Sequence, residues 1–296
     1  MGKTSDNVVE PASGSGTTEY TVATHWDGTA HHQKTGAEFI DEDGALYGVK
    51  QDGNRPIVIS VSHGDAISEG LSGHYPVRRF GHNAAVGGAW ETVYHGSDLY
   101  TYLTSAERLY VISDDTDDDG APVGNGARTV VVKGLDASYE VLQETVTMNG
   151  TTHVLTDASF LRVTKCWVAT AGSTGYNEGT ITIKNNAEDN TLDQIEPQEA
   201  ESHACIHTVP ADQTTYLTFW SGSESSTKGC EIAFWVREFG GIWRYKFGTL
   251  TLDNLWCCEF ALPYKFSEKT DVEVRALSTL GGAIVTASLL GWREDD

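Results

Sequence analysis

The sequence predicts an all-β protein in which two β-sandwich or jelly-roll-like domains follow an N-terminal arm and a small β-rich region. Three observations predict it. Short runs rich in Val, Ile, Thr and aromatic residues recur about every eight to twelve residues between Gly, Asn and Asp, a spacing that suits a sandwich or barrel rather than βαβ units. Residues 126–183 show no helical apolar period. Phe234, Val236, Trp243, Tyr245 and Phe247 alternate with more polar positions, as a half-buried sheet requires.

In chain order, residues 1–18 are polar and rich in Gly and Ser and read as an extended arm or flexible tail. Residues 19–85 read as a small β-rich or irregular region, with a strand over 56–61 after the turn residues Asp52-Gly53-Asn54 and a short helix near 37–40. The first sandwich domain spans 86–196, with strands at 90–94, 108–113, 129–133, 144–148, 151–155, 161–169 and 180–183. Asn149-Gly150 stands between two of these runs, which predicts a hairpin with a type I′ turn, because that turn needs positive φ at both central residues. Residues 185–201 are acidic, poor in apolar side chains and contain Pro197, and read as a joining loop. The second sandwich domain spans 197–296, with strands at 214–220, 231–238, 242–251, 257–262, 272–276 and 283–290. Gly240-Gly241 marks a hairpin between the second and third of these.

Composition narrows the function. The 296 residues carry 39% hydrophobic and 10% aromatic side chains, enough for a globular protein with more than one core. The formal net charge is −22, which repels phosphate, so nucleic acid is excluded as an expected partner. The apolar runs are too short to span a bilayer, and the first residues lack a secretory apolar region, so no membrane partner is expected. The five cysteines fit no disulfide framework or zinc motif and read as small buried hydrophobes of a protein made in a reducing cytoplasm. Trp167, Trp220, Trp235, Trp243 and Trp256 read as core or subunit-interface residues.

One stretch has the beginnings of metal chemistry. Asp115, Asp117, Asp119 and Gly120 match the first half of a calcium loop, in which alternating carboxylates turn toward one hard cation. Gly126 stands where the loop's final glutamate belongs, so a solvated acidic loop is the simpler reading and Ca²⁺ the sharper one. His25, His31, His32, His63, His74, His82 and His95 follow no metal-binding grammar and read as ordinary loop and surface histidines. G-x-S-x-G, Walker and G-x-G-x-x-G motifs are absent, and no catalytic residue or cofactor is expected. Asn149-Gly150-Thr151 matches a glycosylation sequon, but the turn explains Asn149 better.

Several stretches carry a family resemblance. They are 78–86 (RRFGHNAAV), 91–113, 124–152 and 159–183, together with 208–220, VREFGGIWRYKF and 262–276. Each resembles recurrent segments of virion structural proteins of tailed, marine-type bacteriophages. The resemblance runs from about residue 78 to the end of the chain and brings no catalytic residues. It implies a non-enzymatic component of the particle, most simply a decoration or cement protein on the capsid surface. Its partners would then be the major capsid protein and further copies of itself in a homotrimer. The alternative is a tail-associated or adhesion protein that binds host-surface glycan.

Overall fold

A computed structural model describes residues 73–296 except Leu252 and, before them, the backbone of seven short strands. These are β1 (Asn7–Val9), β2 (Tyr20–Val22), β3 (Thr24–Trp26), β4 (His31–Gln33), β5 (Glu38–Ile40), β6 (Leu46–Asp52) and β7 (Arg55–Ser60). They pair antiparallel as β1-β2, β3-β4 and β5-β6-β7. The helix expected near 37–40 is strand β5, since so short a run cannot repay helix nucleation and pairs with β6 instead. Apart from β1, the predicted arm lies outside the described residues, as do the side chains of His25, His31, His32 and His63.

The chain divides into compact units at residues 1–75 and 76–296. From residue 74 onward the strands are β8 (His74–Val86), β9 (Glu91–Thr92), β10 (Tyr110–Ser113), β11 (Ala127–Leu135), β12 (Val141–Thr147), β13 (Val154–Leu155), β14 (Arg162–Ala171) and β15 (Ile181–Lys184). They continue with β16 (Thr191–Ile195), β17 (Ile206–Thr208), β18 (Gln213–Glu224), β19 (Cys230–Arg237), β20 (Arg244–Thr251), β21 (Asn254–Phe266), β22 (Asp271–Leu277) and β23 (Ala283–Asp295). The described residues are all-β and contain no helix.

Two cores organise this unit. Sheets β13-β10-β15-β16 and β12-β11-β14 supply most of the first, which includes Leu109, Val111, Val130, Val132, Ile181 and Ile183. Sheets β17-β22-β19-β20 and β21-β18-β23-β8 supply the second. There Trp220 is fully buried, with its ring centroid 4.5 Å from that of Trp256 and 6.3 Å from that of Phe234.

β8 belongs to a C-terminal sheet, and β9 pairs with β22. The stretch from Val93 to Ala204 is therefore inserted into the C-terminal region, where the sequence reading set domain boundaries at 85/86 and 196/197. The outgoing and returning crossings lie side by side. Tyr94 bridges Ala204, and the Cys205 amide donates to the Val93 carbonyl at 2.9 Å. β8 escapes a pattern reading because its inward positions are Val77, Gly81, Asn83 and Val86, which is not an apolar alternation. A side chain at Gly81 would meet the Val93 carbonyl at 2.1 Å, so this close crossing requires glycine.

The joining loop expected at 185–201 holds β16, which pairs with β15 and buries Leu192 and Ile195 in the first core. Its alternation is hidden by Asp193, a buried carboxylate that accepts from Ser202 Oγ at 2.6 Å. Cys166, Cys205 and Cys230 are buried, whereas Cys257 is exposed and its neighbour Cys258 packs against the second core. Adjacent residues of a strand face opposite sides, which explains the difference.

Candidate functional site

The acidic loop does not gather its carboxylates. Asp115 Oδ1 accepts the Asp117 amide and Asp119 Oδ1 accepts the Ala121 amide, both at 2.8 Å. These are local side-chain turns, and they point the alternating carboxylates back at their own backbone. Among the described residues, Asp115, Asp117 and Asp119 form no three-ligand group. The residue that organises this loop is Asp118, which the D-x-D-x-D pattern passes over. Its buried carboxylate accepts the amides of Ala127 (2.7 Å), Glu178 (2.9 Å) and Gly179 (2.9 Å) and the hydroxyl of Ser113 (2.6 Å).

Asn149 and Gly150 do not close a hairpin. β12 pairs with β11 and β13 with β10, so the turn carries the chain from one sheet to the other. Gly150 has φ +55°, but Asn149 is not in the positive-φ region, so the type I′ turn is not formed. Both Gly150 polar groups are used across the sheets. Its amide donates to Asp118 O at 2.9 Å and its carbonyl accepts from the Ser113 amide at 3.2 Å. At the other predicted turn, β19 and β20 pair antiparallel, Gly240 has φ +70°, and the Gly241 amide donates to Glu238 O at 2.8 Å.

Three surface features offer chemistry. The first is apolar. β20 and β21 are consecutive strands at the edges of different sheets. Around them Ile242, Leu250, Leu255 and Leu262 are 71%, 81%, 63% and 84% exposed, and Tyr245 and Phe247 are partly so. From residue 238 to 266 the chain carries three acidic side chains (Glu238, Asp253, Glu259) and three basic ones (Arg244, Lys246, Lys265). This surface is thus locally neutral on a chain of net charge −22.

The second is cationic. A cavity of about 410 Å³ is lined by Arg78, Arg79, Lys133, Lys165 and Arg293, with Glu201 as its one acidic side chain. Arg79 donates from a terminal nitrogen to Thr164 O at 3.2 Å, while its Nε is buried without a partner. Burial and the neighbouring Arg293 push Arg79 down to about 10. Lys133 is lowered by burial, then by Arg293, Arg79 and Lys165. Cations so placed would gain from an anion among them.

The third is a histidine cluster at the two crossings. His203 Nδ1 lies 3.1 Å from Glu199 Oε2, and His95 Nε2 lies 3.6 Å from the same oxygen. His82 Nδ1, on β8, lies 3.3 Å from His95 Nε2. The His95 side chain is only 3% exposed. Burial pushes it down to about 4, against the upward pull of Glu199 and with the help of His203 and His82. The donor atoms of His95, Glu199 and His203 all lie within 4.8 Å of one another, the one such group among the described residues. Sequence reading treated His82 and His95 as ordinary and did not single out His203. The one local signal is the Glu199–His203 spacing, and His95 lies about a hundred residues away along the chain.

No family model matches the chain, and no curated protein matches it. Among solved structures, "Structure of infectious bursal disease virus Gt strain" is similar at 10% identity and a TM-score of 0.12, covering 76% of this chain and 82% of that one. "Crystal structure of infectious bursal disease virus VP2 subviral particle" is similar at 13% identity and a TM-score of 0.13, covering 80% and 86%. Likenesses at such TM-scores carry no weight for fold or function.

Proposed function

We propose that this chain is a non-enzymatic virion structural protein, a decoration or cement protein that binds and stabilises a phage head shell as a homotrimer. In this reading its two cores are β-sandwiches, jelly-roll-like in the C-terminal region. The observation that carries the reading is the neutral, apolar surface of β20 and β21. Large exposed leucines on two free strand edges are a liability in a lone monomer and an asset in a closed oligomer, where symmetry covers them. Local neutrality lets like copies meet there, while the acidic remainder keeps assembled particles apart. The family resemblance from residue 78 onward supplies the virion context.

Light scattering on the purified protein tests the oligomer. The expected result is a trimer that the double variant Leu250→Glu/Leu262→Glu converts to a folded monomer. A wild-type monomer at tens of micromolar would overturn the self-association. Copy counting by quantitative mass spectrometry of purified particles tests the location. A number comparable to the shell protein fits decoration, whereas one lower by about one or two orders of magnitude moves the chain to the tail or a unique vertex.

The cationic cavity favours a second reading, adhesion to an acidic host-surface glycan. Arg79, Lys133 and Lys165 would take its carboxylate or sulfate groups. A glycan array with sulfated and uronic-acid chains tests it, and binding that survives Lys133→Glu/Lys165→Glu would remove it.

A further inference from the structure

The histidine cluster sits where the inserted region leaves and re-enters the C-terminal region. His95 is on the outgoing crossing, two residues beyond Val93, and Glu199 and His203 are on the returning one. His82 comes from β8 of the C-terminal sheet. We propose that His95 Nε2, Glu199 and His203 Nδ1 bind a Zn²⁺ ion, and that the metal clamps the two crossings together.

Two observations carry this. The donor set of imidazole nitrogens and a carboxylate oxygen is that of zinc. Tetrahedral coordination with bonds of about 2.0–2.1 Å places neighbouring donor atoms about 3.3 Å apart. The separations here are 3.1 Å from His203 to Glu199 and 3.6 Å from His95 to Glu199, and the three donor atoms all lie within 4.8 Å of one another.

The rest of the cluster is built rather than accidental. The Phe80 ring packs edge-on against His203 at 5.1 Å, and the His95 ring packs against His82 at 5.3 Å and His203 at 5.4 Å. The returning segment is pinned between its two ligands. The Val168 amide donates to Ala200 O at 2.8 Å, and the Ser202 amide donates to Cys166 O at 2.9 Å. Ala200 holds φ +56°, a conformation an alanine seldom takes, between the two ligands of this segment.

The test is Zn²⁺ added to the full chain after chelator treatment and gel filtration. Isothermal titration should give one Zn²⁺ per chain at micromolar or tighter affinity, and the melting temperature should rise by several degrees. Co²⁺ in its place should give the visible bands of a tetrahedral nitrogen and oxygen site. His95→Ala and Glu199→Gln/His203→Ala should each lose at least tenfold in affinity and lose the Co²⁺ bands, while His153→Ala, which removes an imidazole remote from the cluster, should change neither. A single and a double variant together guard against one that fails to fold. The inference is overturned if the wild-type protein takes up no stoichiometric Zn²⁺. It is equally overturned if the cluster variants bind as the wild type does, because the metal then resides on other histidines.

Discussion

Both regions tie loops to buried carboxylates, Asp118 in the insertion and Glu224 in the C-terminal region, but the C-terminal region also leaves its edges to open apolar surface. Asp118 alone accepts three backbone amides and a hydroxyl, and Asp193 holds Ser202, whose hydroxyl in turn accepts the Cys166 amide at 2.8 Å. Few large apolar side chains there face solvent, notably Leu99, Val123 and Val141. The C-terminal region buries a larger aromatic stack yet exposes Phe239, Ile242, Leu250, Leu255, Leu262 and Leu280 by 63–84%. Satisfied backbone groups make a region complete by itself, whereas exposed leucines on free strand edges lower their free energy only against another surface. The insertion is thus the finished half, and the C-terminal region is the half with something left to bind.

The joint between the halves gives the largest effect. Arg162 of β14 pairs with Asp271 of β22 at 3.1 Å, and Arg237 of β19 shares the same carboxylate at 2.6 Å. Thr208 Oγ1 donates to it at 2.7 Å, and the Tyr102 ring lies 5.0 Å from the Arg162 guanidinium and 4.5 Å from that of Arg237. Asp271→Ala would leave a buried guanidinium without its counter-charge, at a cost of about 3–5 kcal/mol. Urea unfolding should show it as a large fall in midpoint. If the halves separate in the variant, tryptophan fluorescence and amide exchange in 109–195 should report two transitions instead of one. A small single shift would mean that apolar contact, not the ion pair, joins them.

Asp118→Ala strikes the finished half. It strands buried amides of Ala127, Glu178 and Gly179 and should cost about 3 kcal/mol, each orphaned donor being worth about 1–3 in isolation and part of the loss being recovered by relaxation. Asp115→Ala in the same loop meets one local amide and should stay within about 0.5 kcal/mol. Equal losses for the two would dissolve the distinction between a buried hub and a surface turn.

Gly150→Val is smaller again. Its Cβ would stand 3.3 Å from Thr116 backbone atoms, and φ +55° forces a β-branched residue into the left-handed region, for about 1–3 kcal/mol. An unchanged melting curve would show that the link between the two sheets relaxes freely.

The all-β class was legible because the strands of both halves recur between turn residues and no helical period competes. Connectivity was not. The type I′ reading of Asn149-Gly150 relied on local turn chemistry, but the runs on either side belong to different sheets, and tertiary pairing overrode the local preference. β8 and β16 were missed for one reason, which is that each turns a polar residue inward, Asn83 in one and Asp193 in the other. A buried, hydrogen-bonded polar residue erases the alternation by which a strand is recognised. The acidic run drew attention to Asp115, Asp117 and Asp119, whereas burial singles out Asp118. The histidine cluster brings His82 and His95 together with Glu199 and His203 from about a hundred residues further on, and the Glu199–His203 spacing alone does not announce it.

Acid should separate the halves most finely. In the insertion, burial raises Asp193 to about 6 despite hydrogen bonds from Ser202 and the Gln194 amide. In the C-terminal region, burial pushes Glu224 up, but hydrogen bonds from the Ser226 hydroxyl and the amides of Asp253, Ser226 and Lys228 outweigh it and hold the group at about 2. The signs are opposite. A carboxyl whose folded pKa is raised carries a penalty that is complete above about pH 6 and vanishes as pH falls toward its ordinary value near 4. A carboxyl whose folded pKa is depressed contributes stability that is present above about pH 4.5 and lost as pH falls toward 2. Measured as wild type minus Asp193→Asn, stability should therefore rise as pH drops from 7 to 4. Measured as wild type minus Glu224→Gln, it should stay level over that window and fall between pH 4.5 and 2. Urea midpoints at half-unit pH intervals resolve both differences. If the Asp193 difference is flat from pH 7 to 4, its carboxylate is as well served as that of Glu224, and the contrast between the halves rests on exposed apolar surface alone.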